Sequence, residues 1–528
     1  MATSLSQYGI TWTFDGDYTT GQYANGDYYV VAPSGLTITE ISPASTISGG
    51  RTINGSMVNP TAGTTAQQGF DSASVYTTYN SSLNVARPGG SDLSAGNPLV
   101  LSAGSSLVSS ISNATAGTRP QLTDAAVLTV VASAPAANSF RPPYCGSDKS
   151  GTWNKSDLDY STLRSLATVT GTPSLATVEA YFTRPWIEIN TEHEGRYIHP
   201  SNNQPDYGAD MAEQLGSGLL SLHLNYTTGQ KETLLVRLAQ YGIDLYGAAV
   251  SGAYWKANGG HNLGRKSVLL LTAIVLDDAA MLAYADAAQH FIFQEDGQTW
   301  YVVEADVGRT LYTGDGRPRE EYIEADVGLA EWGEKHNHTP TRDGRNFDAY
   351  YRDICSTQFV GHRLAMGLTA GAKAAWNWPA FFEYADRFVP WYDANDGDSG
   401  SNVIPAWHRA MWDAYWGLWM VPASPTATAT GSSTIDLGWT DASSDETGFK
   451  IERSLNGSSG WTQIGTAAAD ATSYSDTGLS SGTAYYYRVR AYNTYGNSAY
   501  SASANDATDA APTVGAGRYV GSGAAAMF

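Results

Sequence analysis

The sequence predicts a multidomain α+β protein with an N-terminal β-sandwich-like domain, a central (α/α) toroid or barrel, and a C-terminal β-sandwich. Three observations favour this architecture. Short alternating apolar and polar runs, separated by turn residues, fill the first part of the chain. Amphipathic segments of helix length follow one another after residue 150. Alternation returns after residue 420, and 528 residues are enough for about three domains.

Residues 1–145 are predicted to form strands. Runs such as TWTF at 11–14 and YYVV at 28–31 are bounded by Gly, Asn, Asp and Pro clusters. No long helical period is visible there, so a β-sandwich is the natural architecture.

Residues 146–420 are predicted to form the toroid. Leu234, Leu238 and Leu245 recur at the spacing of a buried helix face, and the short link 227–229 predicts an antiparallel helical hairpin. The predicted helices are 206–227, 230–250, 262–276, 277–290, 346–372, 378–389 and 403–417. A stacked helical solenoid is the alternative, although no fixed period is visible. Segment 291–345 interrupts the helices, and its aromatic content indicates an ordered insertion.

Residues 421–510 are predicted to form the third domain, with strands in segments such as GFKIER at 448–453 and YYYRVRAY at 485–492. The run LSSGTAY at 479–485 resembles the tyrosine corner of fibronectin type III domains. That resemblance implies a β-sandwich in which the Tyr485 hydroxyl bonds to the chain upstream. The tail 511–528 is rich in Gly and Ala and is predicted to be flexible or an attachment peptide.

Composition excludes some classes of protein. The net charge of −21 argues against nucleic-acid binding, which requires a basic face. Two cysteines, Cys145 and Cys355, make a structural zinc site improbable; a disulfide or two buried thiols are both compatible with the sequence. The histidines show no metal-ligand spacing, so we expect no metal and no required cofactor, with structural calcium possible but not indicated.

The expected location is extracellular. The first residues have no signal-peptide pattern, and no apolar run is long enough to span a membrane. We expect a secreted monomer without membrane contact. Because the signal-peptide pattern is missing from this sequence, release would follow removal of the signal or occur with a virus particle.

Three polar segments are candidate functional sites. The first, GGHNLGRK at 259–266, opens an apolar helix and places His261 and Arg265 on one face, where they can hold a carboxylate. The second, RYIHPSNNQPDYGAD at 196–210, leads into a long helix and contains Asn203 and the pair Asp206 and Asp210. Capping and loop rigidity explain these two segments as well.

The third segment, 291–352, is unusually basic for an acidic chain, which suits a polyanion. It contains Arg309, Tyr312, Arg317, Arg319, Tyr322 and His336. A salt-bridged loop is the alternative, because several glutamates lie there too.

Four stretches of the middle region resemble toroidal polysaccharide lyases that act on alginate, glucuronan and related polyuronates, such as those of lyase family 38. They are NQPDYG at 203–208, GGHNLGRK at 259–266, EWGEKH at 331–336 and WPAFFEY at 378–384. The resemblance implies β-elimination on an anionic polysaccharide.

Under this resemblance, Asn203, His261 and Arg265 stabilise the enolate that forms at the uronate. Tyr322, with Tyr312 as second choice, moves the protons with help from His336. The expected substrate-binding residues are Tyr207, Lys266, Arg309, Tyr312, Arg317, Arg319 and Trp332. Two other functions remain open: a glycoside hydrolase using paired carboxylates such as Asp206 and Asp210, and a non-catalytic glycan-binding surface or virion protein.

Overall fold

The computed structural model describes residues 1–74, 77–89, 92–192, 195–257, 259–308, 321–333, 350–394, 403–418, 421–441, 446–493, 496–498 and 500–511. The chain divides into two compact units, Met1–Trp416 and Gly417–Phe528. Within the described ranges, no helix has the length and apolar character needed to cross a membrane.

The first part of the larger unit is a β-sandwich-like region, as the alternating runs predict. Its strands are β1 (Ala2–Gln7), β2 (Ile10–Gln22), β3 (Tyr28–Val31), β4 (Leu36–Ser42), β5 (Thr46–Ser48), β6 (Arg51–Ile53), β7 (Ser56–Val58), β8 (Leu99–Leu101), β9 (Ser106–Ser112) and β10 (Leu122–Val131). The main sheet has the order β7-β9-β10-β3-β2-β4-β8, with β1 beside β2. Ile10, Trp12 and Phe14 alternate into its core, because side chains of a strand alternate between two faces.

The middle of the larger unit is helical, as predicted. Its helices are α1 (Leu175–Ala180), α2 (Gly208–Leu222), α3 (Thr228–Val250), α4 (Arg265–Val275), α5 (Ala279–Ala285), α6 (Gln294–Gln298), α7 (Tyr350–Leu368), α8 (Ala372–Trp376), α9 (Pro379–Ala394) and α10 (Ala406–Tyr415). All seven helices predicted from periodicity are present. Periodicity did not predict α1, α6 and α8, because helices of five or six residues are too short to show a 3.6-residue period.

Local signals explain where α3 begins. The Thr227 hydroxyl accepts from the backbone N–H of Gln230, and the Gln230 side chain accepts from the backbone N–H of Thr227 at 2.9 Å. This capping box satisfies two N–H groups that a helix start otherwise leaves unpaired. The helix then packs along α4. A Cβ on Gly242 would lie 2.0 Å from the Thr272 hydroxyl, so this close crossing requires glycine.

The predicted insertion contains a duplicated turn. Segments 303–308 and 323–328 differ only at their first residue, Val303 against Ile323. In each, an aspartate accepts from the N–H of that first residue, at 3.0 and 2.8 Å. The N–H of Gly308 donates to the carbonyl of Tyr322, and reciprocally that of Gly328 donates to the carbonyl of Val302. The flanking strands β11 (Thr299–Tyr301) and β12 (Ala330–Trp332) pair antiparallel, so Tyr322 is held within a locally symmetric hairpin.

A buried ion triad joins the β-rich and helical parts of the larger unit. Arg141 Nε donates to Asp27, between β2 and β3, at 2.7 Å. Its other two nitrogens donate to the two oxygens of Asp244 on α3 at 2.9 and 2.6 Å. Burial opposes the charge of Arg141, but Asp244 and Asp27 outweigh it and raise its pKa above the ordinary value. The triad therefore fixes residue 141, where the strands give way to helices, against both parts.

The described residues of the smaller unit form two sheets. Its strands are β13 (Ala423–Gly431), β14 (Thr434–Thr440), β15 (Gly448–Ser454), β16 (Thr462–Ala468), β17 (Ser473–Thr477), β18 (Ala484–Asn493), β19 (Gly496–Asn497) and β20 (Ala504–Ala507). One sheet has the order β13-β14-β17 and the other β16-β15-β18-β19, with β20 beside β18. The Tyr485 hydroxyl accepts from the backbone N–H of Ser480 at 3.1 Å. This bond confirms the tyrosine corner predicted from the sequence.

Candidate functional site

Two of the predicted polar segments meet at the N-terminal ends of α2 and α4. A Cβ on Gly208 would lie 2.2 Å from the carbonyl oxygen of Gly260 and 2.5 Å from the Cα of His261. Gly264 has φ +90°, and a Cβ there would lie 2.6 Å from the His362 ring. Glycine is therefore required at residue 208 for space, and at residue 264 for both space and its left-handed backbone conformation. These contacts place the loop before α2 directly against the loop before α4.

Tyr207 and His261 face each other across this junction. Their ring centroids are 6.5 Å apart with the planes at 84°, and both side chains are half-buried. Asn203, in the loop before Tyr207, is also half-buried and donates to the carbonyl of Tyr181 at 2.9 Å. Its side-chain oxygen has no hydrogen-bond partner among the described residues. Three of the predicted site residues thus offer polar groups on two facing loops.

Arg265 turns into the protein. Its Nε donates to Glu188 at 3.1 Å, and the same carboxylate accepts from Tyr241 at 2.7 Å and from Trp255 at 2.9 Å. Burial favours the neutral form of Glu188, but Arg265, His199 and these hydrogen bonds lower its pKa below the ordinary value. The charge of Arg265, which the resemblance assigns to enolate stabilisation, is therefore already balanced by a carboxylate of the protein.

Lys266 is likewise paired internally. Its ammonium donates to both oxygens of Asp296 at 2.8 and 2.7 Å and to the carbonyl of Trp376 at 3.2 Å. The Trp376 indole N–H also donates to Asp296, at 2.9 Å. Both charged side chains are completely buried. Lys266 therefore fixes the start of α4 against α6 and α8.

Helix α6 braces the loop before α4. Gln294 accepts from the backbone N–H of Asn262 at 2.9 Å. Gln298 donates to the carbonyl of Gly259 at 2.8 Å, and Glu295 accepts from the N–H of Gly264 at 2.5 Å. Side chains of α6 thus satisfy backbone groups on both sides of His261, and these hydrogen bonds fix the backbone of its loop.

Glu295 is an unusual carboxyl group. It is 1% exposed, and its second oxygen has no hydrogen-bond partner among the described residues. Burial raises its pKa to about 7, although the hydrogen bond from Gly264 opposes this shift. A carboxyl group with this pKa can exchange a proton near neutral pH.

We expect Glu295 to make stability fall as pH rises. Its pKa is raised to about 7 in the folded protein, so the folded state holds this proton more tightly than the unfolded state. That contribution is complete below the unfolded pKa and is lost as pH rises through about 7. From pH 5.5 to 8, the free energy of unfolding of wild type should fall by roughly 2 kcal/mol relative to Glu295→Gln. Urea unfolding at both pH values measures this. Glu304→Gln, which removes an exposed charge, is the control and should show no such change.

Tyr322 and Trp332 lie in the hairpin formed by β11 and β12. Tyr322 is 3% exposed, and its ring packs edge-on against Trp300 with centroids 6.3 Å apart. Trp332 is buried and pairs with Thr299 across the hairpin. Thr299 directly follows α6, so this aromatic cluster is next in the chain to the helix that supports the loop before α4.

A charged network supports the hairpin from α7 and α9. Glu331 of β12 accepts from both Arg352 and Arg387. Arg352 also donates to the Tyr384 hydroxyl at 3.1 Å. Burial opposes its charge, but Glu331, Tyr384 and Tyr322 raise the pKa of Arg352. Arg352 therefore lies within electrostatic range of Tyr322.

The remaining predicted residues of the basic segment, Arg309, Tyr312, Arg317, Arg319 and His336, lie outside the described residues.

The carboxylates of the second polar segment lie at the start of α2. Burial and the neighbouring charge of Asp206 raise the pKa of Asp210. One turn later, burial and Asp210 raise the pKa of Glu213. All three therefore form a row of interacting acids next to Tyr207.

The described cysteines and histidines suggest no metal centre. Cys145 and Cys355 are buried free thiols. His362 bonds Ser267 and the carbonyl of Ala212, and His408 bonds Ser217. Among the described residues, one acidic group in the smaller unit has the spacing of metal ligands.

Sequence reasoning missed Glu188, Gln294 and Glu295. Glu188 lies in an irregular segment and gives no periodic signal. The other two belong to the polar run QEDGQ at 294–298, which stands between Phe293 and Trp300. A polar run enclosed by large aromatic residues could have indicated a buried polar network.

Comparison with known proteins identifies the smaller unit. Residues 421–506 match the fibronectin type III domain, so the chain carries such a domain at its C-terminal side. A 93-residue stretch is 44% identical to an alpha-amylase of Niallia circulans, covering 17% of this chain but only 7% of that protein. Among solved structures, an Fn3-like protein from Clostridium thermocellum is 30% identical over 16% of this chain and 86% of its own, with a TM-score of 0.15. FN3tt is 25% identical over 17% and 95%, also with a TM-score of 0.15.

Proposed function

We propose that this protein is a secreted polysaccharide lyase that cleaves a uronic-acid polysaccharide of the alginate or glucuronan type by β-elimination. The observation that carries the proposal is the junction of Tyr207 and His261, half-buried and 6.5 Å apart between their rings, on loops that glycines and α6 hold rigidly. We propose further that the helices around it form an (α/α) toroid.

The junction suits an anionic sugar. Helix N-termini carry partial positive charge, and both α2 and α4 begin here. Removing the proton at C5 of a uronate places additional negative charge on its carboxylate, so preorganised donors beside that carboxylate accelerate the reaction. In this proposal those donors are His261 and the side-chain amide of Asn203, which also donates to the carbonyl of Tyr181. Arg265 supports them indirectly, through Glu188 and the loop backbone.

The proton carrier in the proposal is a tyrosine. A general base must come within hydrogen-bond reach of the proton that it removes. We choose Tyr207 for this role, because it is half-buried beside His261. Tyr322, the choice from sequence, remains the second candidate because Arg352 lies in electrostatic range of it.

A glycoside hydrolase is the second candidate function. The observation in its favour is the row of acids at Asp206, Asp210 and Glu213, since the pKa of both Asp210 and Glu213 is raised. A hydrolase needs one protonated and one ionised carboxyl group flanking the bond. Asp210 and Glu213 would supply that pair beside Tyr207.

The reaction products distinguish these functions. We expect the full-length protein to release unsaturated products, which absorb ultraviolet light, together with reducing ends from polyuronates such as alginate and glucuronan. Neutral glucans at the same low ionic strength should give neither signal. Reducing ends without ultraviolet absorbance would favour the hydrolase. Equal activity on neutral and anionic glycans would contradict the lyase, and binding with no product would favour a glycan-binding protein.

A further inference from the structure

Three carboxylates converge in the smaller unit, far along the chain from the junction described above. Asp441 directly follows β14, Glu446 lies just before β15, and Asp470 lies between β16 and β17. One oxygen from each lies within 4.8 Å of the others. Three like charges at this separation repel one another strongly unless a proton or a cation compensates them.

Glu446 is the buried member of this cluster. Its side chain is 6% exposed, and one carboxylate oxygen accepts from the backbone N–H of Asp470 at 2.8 Å. The other oxygen has no hydrogen-bond partner among the described residues. A buried carboxylate oxygen without a donor is costly, and this one belongs to a carboxylate that faces two others.

Three described basic side chains of the same unit contact other groups. Arg453 pairs with Asp476, and Arg488 with Glu452. Lys450 donates to the side chain of Asn497 at 2.7 Å. These three side chains therefore have acceptors outside the cluster.

We propose that Asp441, Glu446 and Asp470 bind a calcium ion. Oxygens that ligate one Ca²⁺ at about 2.3–2.6 Å are at most about 5 Å apart, which the spacing of 4.8 Å satisfies. Asp470 is exposed and Asp441 half-buried, so water can complete the six to eight oxygen ligands that Ca²⁺ takes. Mg²⁺ fits less well, because it demands a near-ideal octahedron at about 2.0–2.1 Å.

The ion would join three connections of the sandwich. Asp441 and Glu446 flank the connection from β14 to β15, and Asp470 lies in the one from β16 to β17. Since β14 and β15 belong to different sheets, calcium would stabilise the fibronectin type III domain at one end. This role is independent of the proposed lyase activity.

Calorimetric titration of the full-length protein, first treated with EDTA, tests the site. We expect CaCl₂ to bind with one-to-one stoichiometry and a Kd of about 10⁻⁴–10⁻³ M, as in extracellular calcium modules. Glu446→Gln retains an acceptor for the N–H of Asp470 and should weaken binding about tenfold or more. Asp509→Asn removes one exposed carboxylate of the same unit outside the cluster, and it should leave Kd unchanged.

Calcium titration of Asp470→Asn and magnesium titration of wild type complete the test. If Glu446→Gln fails to fold, calcium titration of Asp470→Asn tests the site. This variant should fold, because asparagine tolerates the left-handed φ of +59° at this position. No saturable calcium binding by wild type would overturn the proposal, as would equal weakening by Asp509→Asn or unchanged affinity in Asp470→Asn. Magnesium binding as tight as calcium binding would overturn the choice of ion.

Discussion

Replacing His261 with alanine should lower kcat on a polyuronate by about 10²-fold or more, the effect of losing one preorganised donor. KM should change much less, because in the proposed mechanism His261 stabilises charge that develops mainly in the transition state. The melting temperature should stay within a few degrees of wild type. His261 is half-buried, and α6 holds its loop through the backbone of Gly259, Asn262 and Gly264. Initial rates from ultraviolet absorbance, with thermal unfolding of the same samples, provide the measurement.

His290→Ala is the matched control. His290 is also half-buried, but its ring stacks on Tyr284 with centroids 4.0 Å apart, so kcat should be unchanged. A normal kcat in His261→Ala would remove this residue from the proposed mechanism. Tyr207→Phe and Tyr322→Phe, which each remove only a hydroxyl, then identify the proton carrier. Loss of unsaturated product in Tyr207→Phe alone would support our proposal, and loss in Tyr322→Phe alone would restore the choice made from sequence.

Replacing Arg141 with methionine should destabilise the larger unit by roughly 3–5 kcal/mol, the usual result of removing one partner from a buried ion pair. The change keeps a long side chain but removes the guanidinium group that pairs with both Asp27 and Asp244. Both carboxylates are almost completely buried, so neither is screened by water. Urea unfolding followed by tryptophan fluorescence measures the loss.

Arg409→Met is the control for that experiment. Arg409 pairs with Asp393 and Asp413 at the surface, where such pairs contribute about 0–1 kcal/mol. Adding Asp27→Asn and Asp244→Asn to Arg141→Met should recover much of the lost stability, because the uncompensated charges disappear. If Arg141→Met is no more harmful than Arg409→Met, the triad does not stabilise the fold.

Local patterns in the sequence determined much of the architecture. The alternation of Trp12 and Phe14 in the run 11–14 predicted a strand, and both side chains are buried. The period in 230–250 predicted α3 to within two residues at its start. The run before Tyr485 predicted its bond to the chain upstream. Each of these features arises within a few residues of backbone, so a single stretch of sequence contains the whole signal.

The tertiary structure decided how the polar residues are used. Spacing placed His261 and Arg265 on one face of a helix start, but Arg265 bonds Glu188, 77 residues earlier. Lys266 bonds Asp296, 30 residues later. The sequence contains no sign of these partners, because an ion pair depends on where distant segments cross and not on local periodicity. It determined which side chains gather at the start of α4, and only the fold decided that His261 faces Tyr207 while its charged neighbours stabilise the interior.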